Sequence, residues 1–316
     1  MNYLRLLRLP NLLIVALTQY AMRYLIVQPL LVQRGFDLQM PPLQFFLLVV
    51  ATICLTGAGY VINDYFDTRS DFINRPDSVV VGTLIPRRKA ILLHSLLNII
   101  GVLIGLYLAF YAKIPLLGLV FIAVSAVLWL YSASYKRRFL IGNLIVAALT
   151  GMVPVLVPLF EVPLLRMEYA PVVATTQTNF SFLFYWVGAF GFFAFITSVI
   201  REVIKDIQDF KGDKETGCKT LPVKLGMRGS KAFVVSLITF TVLALLLVYL
   251  WLIPHIYVFA HFFIALWIPF IILSVLVWRG NKSNDFAKAS GWTKIIMLTG
   301  ILLAIVAFLM IKNNMI

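Results

Sequence analysis

Acidic residues are scarce in this chain, where 13 Asp and Glu stand against 27 Lys and Arg among 316 residues. Charged side chains of both signs make up 13% of the sequence, whereas 61% is hydrophobic and the mean hydropathy is +0.95. A soluble domain needs far more surface charge, so this composition excludes one and indicates an integral membrane protein. The net charge of +14 is explained by basic residues that set the membrane topology, as described below. We therefore expect no nucleic-acid partner.

Cysteine and histidine are nearly absent. Cys54 and Cys218 stand alone, without the spacing of a metal site, a redox motif or a disulfide framework. The three histidines, His94, His255 and His261, are far apart in the sequence, and we expect them to pack or to lie at the membrane interface. Neither residue type therefore suggests a metal site.

Long apolar runs recur from one end of the chain to the other and do not alternate as β-barrel strands do. The first run lacks a small-residue cleavage site and is about twice as long as a signal-peptide core, so we expect a retained helix. The pattern predicts an all-α membrane protein, with residues 1–316 forming one domain of nine transmembrane helices. The runs are 11–32, 43–62, 89–112, 114–132, 140–160, 181–200, 232–253, 257–278 and 292–311.

Basic residues concentrate in every second connection between these runs. If the N-terminus is inside, 22 of the 27 Lys and Arg fall in inner segments. This positive-inside pattern predicts a multi-pass protein of the plasma (inner) membrane, in contact with membrane lipid. The N-terminus and the long connections 63–88 and 201–231 would be cytoplasmic, and the C-terminus outside. Arg23 lies within the first run, where a charge is costly: it either serves a function or snorkels outward.

The scarce acidic residues form the same pattern twice. The first ladder is Asp64, Asp67 and Asp71, and the second is Asp206, Asp209 and Asp213. Both have i, i+3, i+7 spacing, which places three carboxylates on one face of a helix end. Each ladder follows an apolar run, so we expect cytoplasmic acidic loops after helices 2 and 6, with the carboxylates in the last helical turns. Clustered carboxylates repel each other, and oxygen ligands suit Mg²⁺ together with a substrate phosphate.

Two such ladders facing each other across a cavity would suit a diphosphate leaving group. Bound Mg²⁺ would neutralise the charge on a departing diphosphate, and nearby cations would assist, namely Lys136, Arg137, Lys205 and Arg69. Ionisation of an allylic diphosphate gives a carbocation, which aromatic faces stabilise. The aromatic residues near the ladders are Tyr60, Tyr65, Tyr131, Tyr135, Phe192, Phe193 and Phe195. A long isoprenoid tail would lie between the helices.

Other interpretations of the ladders are open from the sequence. A single Asn-Asp-x-x-Asp motif is also typical of a helix end with solvated acids. A secondary transporter has intramembrane carboxylates, although these tend to lie near the midplane on broken helices. A CDP-alcohol phosphotransferase also uses acidic clusters in a membrane, but its DGxxAR…GxxxDxxxD pattern is missing here.

The chain resembles the UbiA superfamily of intramembrane prenyltransferases over its whole length. The resemblance rests on both ladders and on shorter motifs, which are Arg8-Leu9-Pro10-Asn11, Asn74-Arg75-Pro76, Tyr131-Ser132 with Lys136, Gly142-Asn143, Arg201-Glu202 and Lys219-Thr220-Leu221-Pro222. It implies nine helices in a bundle around a central cavity, and Mg²⁺-dependent transfer of a prenyl group from a prenyl diphosphate. It also implies metal binding by all six ladder aspartates, with Asn63 joining them or the diphosphate. Lys136 and Lys205 would contact phosphate.

The second ladder and the Lys-Thr-Leu-Pro after it look most like the branch that prenylates geranylgeranylglyceryl phosphate. Other acceptors than this lipid-like one are also open. The same motifs occur in family members that prenylate 4-hydroxybenzoate, dihydroxynaphthoate or homogentisate, and in members that act in chlorophyll and haem synthesis. Two departures occur. The family often has Arg after the second Asp of the first motif, where this chain has Thr68 followed by Arg69. An Arg-Pro-Ile-Pro stretch is replaced by Ser78-Val79-Val80-Val81.

Overall fold

The computed structural model describes residues 2–74 and 76–315. In these residues nine helices are long and apolar enough to cross a membrane, which confirms the all-α, multi-pass prediction. Arg75, from the Asn74-Arg75-Pro76 motif, lies outside the described residues. The helices are α1 Leu9–Val32, α2 Pro42–Asn74, α3 Arg87–Tyr111, α4 Pro115–Ala133, α5 Ile141–Glu168, α6 Phe182–Gln208, α7 Leu221–Trp251, α8 Ile256–Arg279 and α9 Ser283–Lys312.

Short elements connect several of these helices. Within the described ranges, the extended backbone pairs at one isolated β-bridge, between Val81 and Ile85. The short elements are the α-helices Asn2–Leu6, Ala170–Thr176 and Phe210–Glu215, and the 3₁₀ turns Pro76–Ser78 and Tyr135–Arg137.

The ladders lie at helix ends, as their spacing predicts, but the two ends differ. Helix α2 continues to Asn74, so the whole first ladder is helical. Helix α6 ends at Gln208, because the backbone of Asp209 leaves the helical region with φ −95° and ψ 9° before the next short helix starts. The second ladder therefore spans a break between two helices.

Helix α7 begins eleven residues earlier than its apolar run predicts. Thr220 precedes its first turn and Pro222 lies within that turn, where a missing N–H is tolerated. Gly226 then breaks the helix with φ 69° and ψ 174°, a conformation that glycine adopts without strain. Residues 214–231 are therefore the end of a short helix, a loop and the start of α7.

The chain forms two compact units. The first consists of Met1–Lys136 with Val153–Gly188, and the second of Arg137–Met152 with Ala189–Ile316. In the first unit, α2 packs on α3 and α4 through small residues that let helices approach closely. A Cβ on Gly59 would lie 3.0 Å from Leu128 of α4, and one on Gly101 of α3 would lie 2.9 Å from Leu55 of α2.

Gly105 in α3 allows the tightest of these approaches in the first unit. A Cβ there would lie 2.2 Å from the ring of Phe121 in α4. We expect Gly105→Ala to destabilise the protein by about 1–3 kcal/mol, because the packed ring has to move. The matched control is Gly188→Ala in α6, where nothing lies within 4 Å, so the helix preference of alanine should stabilise by about 0.5–1 kcal/mol. Unfolding in detergent measures both; equal shifts would contradict the packing argument.

The second unit has an apolar core built from α6 to α9. Its largest fully buried side chains are Phe262, Phe270 and Phe286. Phe193 of α6 packs against this core, and a Cβ on Gly300 of α9 would lie 2.1 Å from its ring. The core holds the helix whose C-terminal end carries the second ladder.

Arg23 lies in a buried ion pair of the first unit and does not snorkel. It occupies a π-helical turn of α1, Met22–Val27, and its side chain is 3% exposed. Its Nη1 is 3.4 Å from Oε2 of Glu161 in α5, and its Nη2 donates to the carbonyl oxygen of Met40. Glu161 is fully buried and also accepts from the backbone N–H groups of Gln39 and Met40. The pair thus ties α1, α5 and the 33–41 connection together.

Candidate active site

The first ladder presents its three carboxylates to different degrees. Asp67 is buried, whereas Asp64 and Asp71 are half-buried. The hydroxyls between them are turned back onto α2, since Thr68 donates to the carbonyl of Tyr65 and Ser70 to that of Asp67. These two hydroxyls are therefore engaged by backbone carbonyls of their own helix.

Arg8 contacts the first carboxylate of this ladder. Its Nη2 lies 2.7 Å from Asp64 Oδ1, and its guanidinium lies 4.9 Å from the centroid of the Tyr60 ring. Such a charge-assisted bond holds the carboxylate in one orientation. In the sequence, Arg8 belongs to a short motif of the family resemblance and has no predicted role.

Lys136 forms an ion pair with Asp67 through its Nζ and Asp67 Oδ2. Lys136 lies between α4 and α5, in the turn Tyr135–Arg137. Burial by itself would lower the pKa of Lys136, but the charges of Asp67 and Tyr131 and the bond to Asp67 outweigh burial, so this pKa is well above its usual value. The predicted phosphate ligand is therefore a permanent cation held against the ladder.

Neutral donors hold two carboxylates of the second ladder. Asn143, near the start of α5, donates from Nδ2 to Asp206 Oδ2 over 2.8 Å. Thr220, at the start of α7, donates from Oγ1 to Asp213 Oδ2 over 3.0 Å. Asp209, at the helix break, is half-buried. Asn143 and Thr220 stand in quoted motifs without an assigned role; their neighbours in the fold could not be found from spacing.

Lys205, predicted to contact diphosphate, is bound by a carboxylate one turn earlier in α6. Its Nζ lies 2.9 Å from Oε2 and 3.1 Å from Oε1 of Glu202, which is buried. Arg201 also donates to Glu202, from Nη1 over 2.9 Å. Glu202 is thus the acidic residue that the ladder pattern missed, because it falls outside the i, i+3, i+7 spacing.

The remaining predicted residues lie on or near the first ladder. Asn63 is half-buried in α2, beside Asp64, and Arg69 is exposed on the same helix. Arg137 follows Lys136 in the chain but belongs to the second unit, where its carbonyl accepts from the N–H of Lys219. A phosphate role for Asn63 and Arg69 stays a prediction.

Several of the aromatic rings proposed for cation stabilisation have partners in the protein. The ring of Tyr60 lies under Arg8, and the ring of Tyr65 lies 4.3 Å from the guanidinium of Arg87. Phe193 packs on the core of the second unit. These contacts satisfy the rings structurally, and a role in carbocation stabilisation stays a prediction.

Across the described ranges, no three His, Cys, Asp or Glu side chains converge as a complete metal cage. Mg²⁺ is usually bound by one or two carboxylates, with phosphate oxygens and water as its other ligands. Ladder carboxylates that are partly exposed and arranged along a helix fit that ligand set. Sulfur and imidazole ligands, which favour other metals, are not part of either ladder.

Comparison with known proteins identifies the class. Residues 34–295 match the model of the UbiA prenyltransferase family. The chain therefore belongs to the UbiA prenyltransferase family. It is a membrane-embedded prenyltransferase, and the transporter alternative is set aside.

Individual relatives agree with this assignment. The chain is 31% identical over 264 residues to the digeranylgeranylglyceryl phosphate synthase of Methanothermobacter thermautotrophicus, covering 82% of each protein. It is 25% identical to a solved structure from work on digeranylgeranylglyceryl phosphate synthase in membranes, with a TM-score of 0.61 and 97% of both chains covered. A UbiA homolog from Archaeoglobus fulgidus, solved with GPP and Mg²⁺, shares the fold at 16% identity, with a TM-score of 0.52 and 96% and 99% coverage.

Proposed function

We propose that this prenyltransferase transfers a geranylgeranyl group from geranylgeranyl diphosphate to the free hydroxyl of geranylgeranylglyceryl phosphate, a step of ether lipid synthesis. The observation that carries the proposal is the 31% identity over 264 residues to a digeranylgeranylglyceryl phosphate synthase. The second ladder and the Lys-Thr-Leu-Pro after it support the same acceptor.

The cofactor we propose is Mg²⁺. Its ligands would be the six ladder aspartates Asp64, Asp67, Asp71, Asp206, Asp209 and Asp213, directly or through water. The carboxylate donor set supports this choice, and the Archaeoglobus homolog was solved with GPP and Mg²⁺. When bound, Mg²⁺ would neutralise charge on the departing diphosphate. The diphosphate contacts we propose are Asn63, Arg69, Lys136 and Lys205.

The residues of the chain itself would orient these groups and supply positive charge. Lys136 fixes Asp67, while Asn143 and Thr220 fix Asp206 and Asp213. Such supporting bonds keep metal-binding carboxylates in one conformation. In the proposed reaction the bond from prenyl C1 to the diphosphate oxygen breaks and the acceptor oxygen bonds to C1. The hydroxyl proton is released.

We further propose that residues 1–316 work as one domain in the plasma (inner) membrane, with the N-terminus and both ladders cytoplasmic and the C-terminus outside. The support is the concentration of 22 of 27 basic residues on one side of the predicted topology. An odd number of spans places the termini on opposite sides.

A product assay on purified protein in lipid tests the proposal. We expect labelled geranylgeranyl diphosphate, Mg²⁺ and geranylgeranylglyceryl phosphate to give one prenylated product that disappears with EDTA. Parallel reactions contain 4-hydroxybenzoate, 1,4-dihydroxy-2-naphthoate or homogentisate. A product with one of these aromatic acceptors alone would reassign the branch. An intact donor with every acceptor would contradict the proposed reaction.

A further inference from the structure

Arg8 contacts the first ladder, yet the roles proposed above leave it unused. We infer that Arg8 is a phosphate-binding residue, held at the ladder by Asp64. The inference rests on the proposed function, because the phosphate would belong to the diphosphate of the donor or to the phosphate of the acceptor. Both present the same oxygen chemistry to a guanidinium.

The backbone conformation at Arg8 helps to place its side chain against Asp64. Arg8 has φ 52° and ψ 52°, a left-handed conformation that is disfavoured for residues with a Cβ and persists only where neighbours impose it. The imposing neighbours are Leu6, fully buried against Val61 and Val80, and Leu12, which is 5% exposed in α1. Anchored on both sides, the turn directs the Arg8 side chain to Asp64.

Stability alone does not explain this ion pair. The Arg8 side chain is 33% exposed and that of Asp64 is 18% exposed. Ion pairs with this much solvent contact contribute little to folding, so holding a left-handed arginine for that purpose gains little. The exposure does leave the guanidinium accessible to an anion arriving from water.

The chemistry of the ladder calls for a forked cation. Three carboxylates repel an approaching phosphate, and Lys136 at Asp67 supplies a single compact ammonium group. A guanidinium carries five donors in a planar fork that matches phosphate oxygens. Arg8 therefore adds directional phosphate binding at the end of the ladder opposite Asp71.

Binding measurements on the purified full-length protein test this inference without relying on turnover. The probes are inorganic pyrophosphate for the donor and glycerol 1-phosphate for the acceptor, each titrated calorimetrically in the presence of Mg²⁺. We expect Arg8→Gln to weaken one probe by about 10- to 100-fold, the value of a hydrogen bond to a charged group. Arg8→Lys should lose less, because it keeps the charge but not the fork.

Arg5→Gln is the matched control. Arg5 lies in the short helix Asn2–Leu6 that precedes Arg8, is exposed, and donates to the carbonyl of Asp77 over 3.5 Å. The Arg5→Gln substitution removes an equal charge from the N-terminal segment, so it controls for membrane topology. We expect this variant to bind both probes as the wild type does.

Each outcome has a defined meaning. Selective loss of pyrophosphate binding in Arg8→Gln assigns Arg8 to the donor, and selective loss of glycerol phosphate binding assigns it to the acceptor. If Arg8→Gln binds both probes as tightly as the wild type does, the inference is overturned. This holds even if the variant binds Mg²⁺ more tightly or unfolds at a lower temperature. If the wild type binds neither probe, the proposed function fails first, and the inference fails with it.

Discussion

Asp67→Asn is expected to reduce prenyl transfer by about 10³-fold. The substitution keeps the size of the side chain and removes the negative charge that pairs with Lys136 and that we propose binds Mg²⁺. A catalytic metal supplies several kcal/mol of charge stabilisation, and each 1.36 kcal/mol is about tenfold in rate. Asp67 is the most buried carboxylate of its ladder, so water cannot easily replace it. Initial rates of product formation at several Mg²⁺ concentrations measure the effect.

Two further variants make this result specific. Asp77→Asn removes an exposed carboxylate from the short turn after α2 and should leave the rate within about twofold, as expected of surface substitutions. Asp209→Asn should match Asp67→Asn if both ladders serve the reaction. Normal turnover in Asp67→Asn would refute its role as a metal ligand, and loss of activity with loss of folding would be detected by size-exclusion chromatography.

Glu161→Ala is expected to destabilise the protein by about 3–5 kcal/mol, the usual effect of removing one partner of a buried ion pair. The substitution leaves Arg23 buried at 3% exposure without its counter-ion, and removes the acceptor for the N–H groups of Gln39 and Met40. The free energy of unfolding in mixed micelles measures the loss. Catalytic constants of the protein that remains folded should change little.

The control lies on the same helix. Glu168→Ala removes an exposed carboxylate near the end of α5 and should change stability by less than about 0.5 kcal/mol. The double variant Arg23→Met, Glu161→Leu should recover most of the lost stability, because apolar residues of similar volume replace buried pairs well. A loss in Glu161→Ala no larger than in Glu168→Ala would contradict the importance of the pair.

Apolar runs and carboxylate spacing predicted the nine helices and both ladders, because hydropathy and i, i+3, i+7 periodicity are local properties of the sequence. The partners of the ladders were not predictable in the same way. Arg8 is 56 residues from Asp64, and Lys136 is 69 residues from Asp67, so only the tertiary fold shows which cation meets which carboxylate. Lys136 is among the cations predicted beside the ladders, whereas Arg8 has no predicted role.

The breaks in the helices were no easier to predict from the sequence than these partners. Nothing in the second ladder signals that α6 stops before Asp209, since no glycine or proline lies between Lys205 and Lys211. Gly226 gave a signal that could have been used, because a glycine inside a helical pattern is a common site for a change of backbone conformation.

The structure also gives the Val79-Val80-Val81 departure a role. All three valines are buried, and Val80 and Val81 pack with Leu6 and Val61. Where the family often has Pro-Ile-Pro, this chain has an apolar anchor for its N-terminal helix. The valines thus help to hold Leu6, and with it the neighbouring Arg8, in place.

The Arg23–Glu161 pair also has a consequence for how the protein is made. The two residues are 138 positions apart, so α1 leaves the ribosome long before its counter-ion is synthesised. Helix α1 is also the least apolar of the nine spans, with a mean hydropathy of 1.2 against 1.9–2.7 for the others. An arginine at the centre of a span disfavours its insertion by about 2.5–3.5 kcal/mol. The first span to be translated therefore lacks its counter-ion until the fifth span is inserted, and its position in the bilayer is not fixed before then.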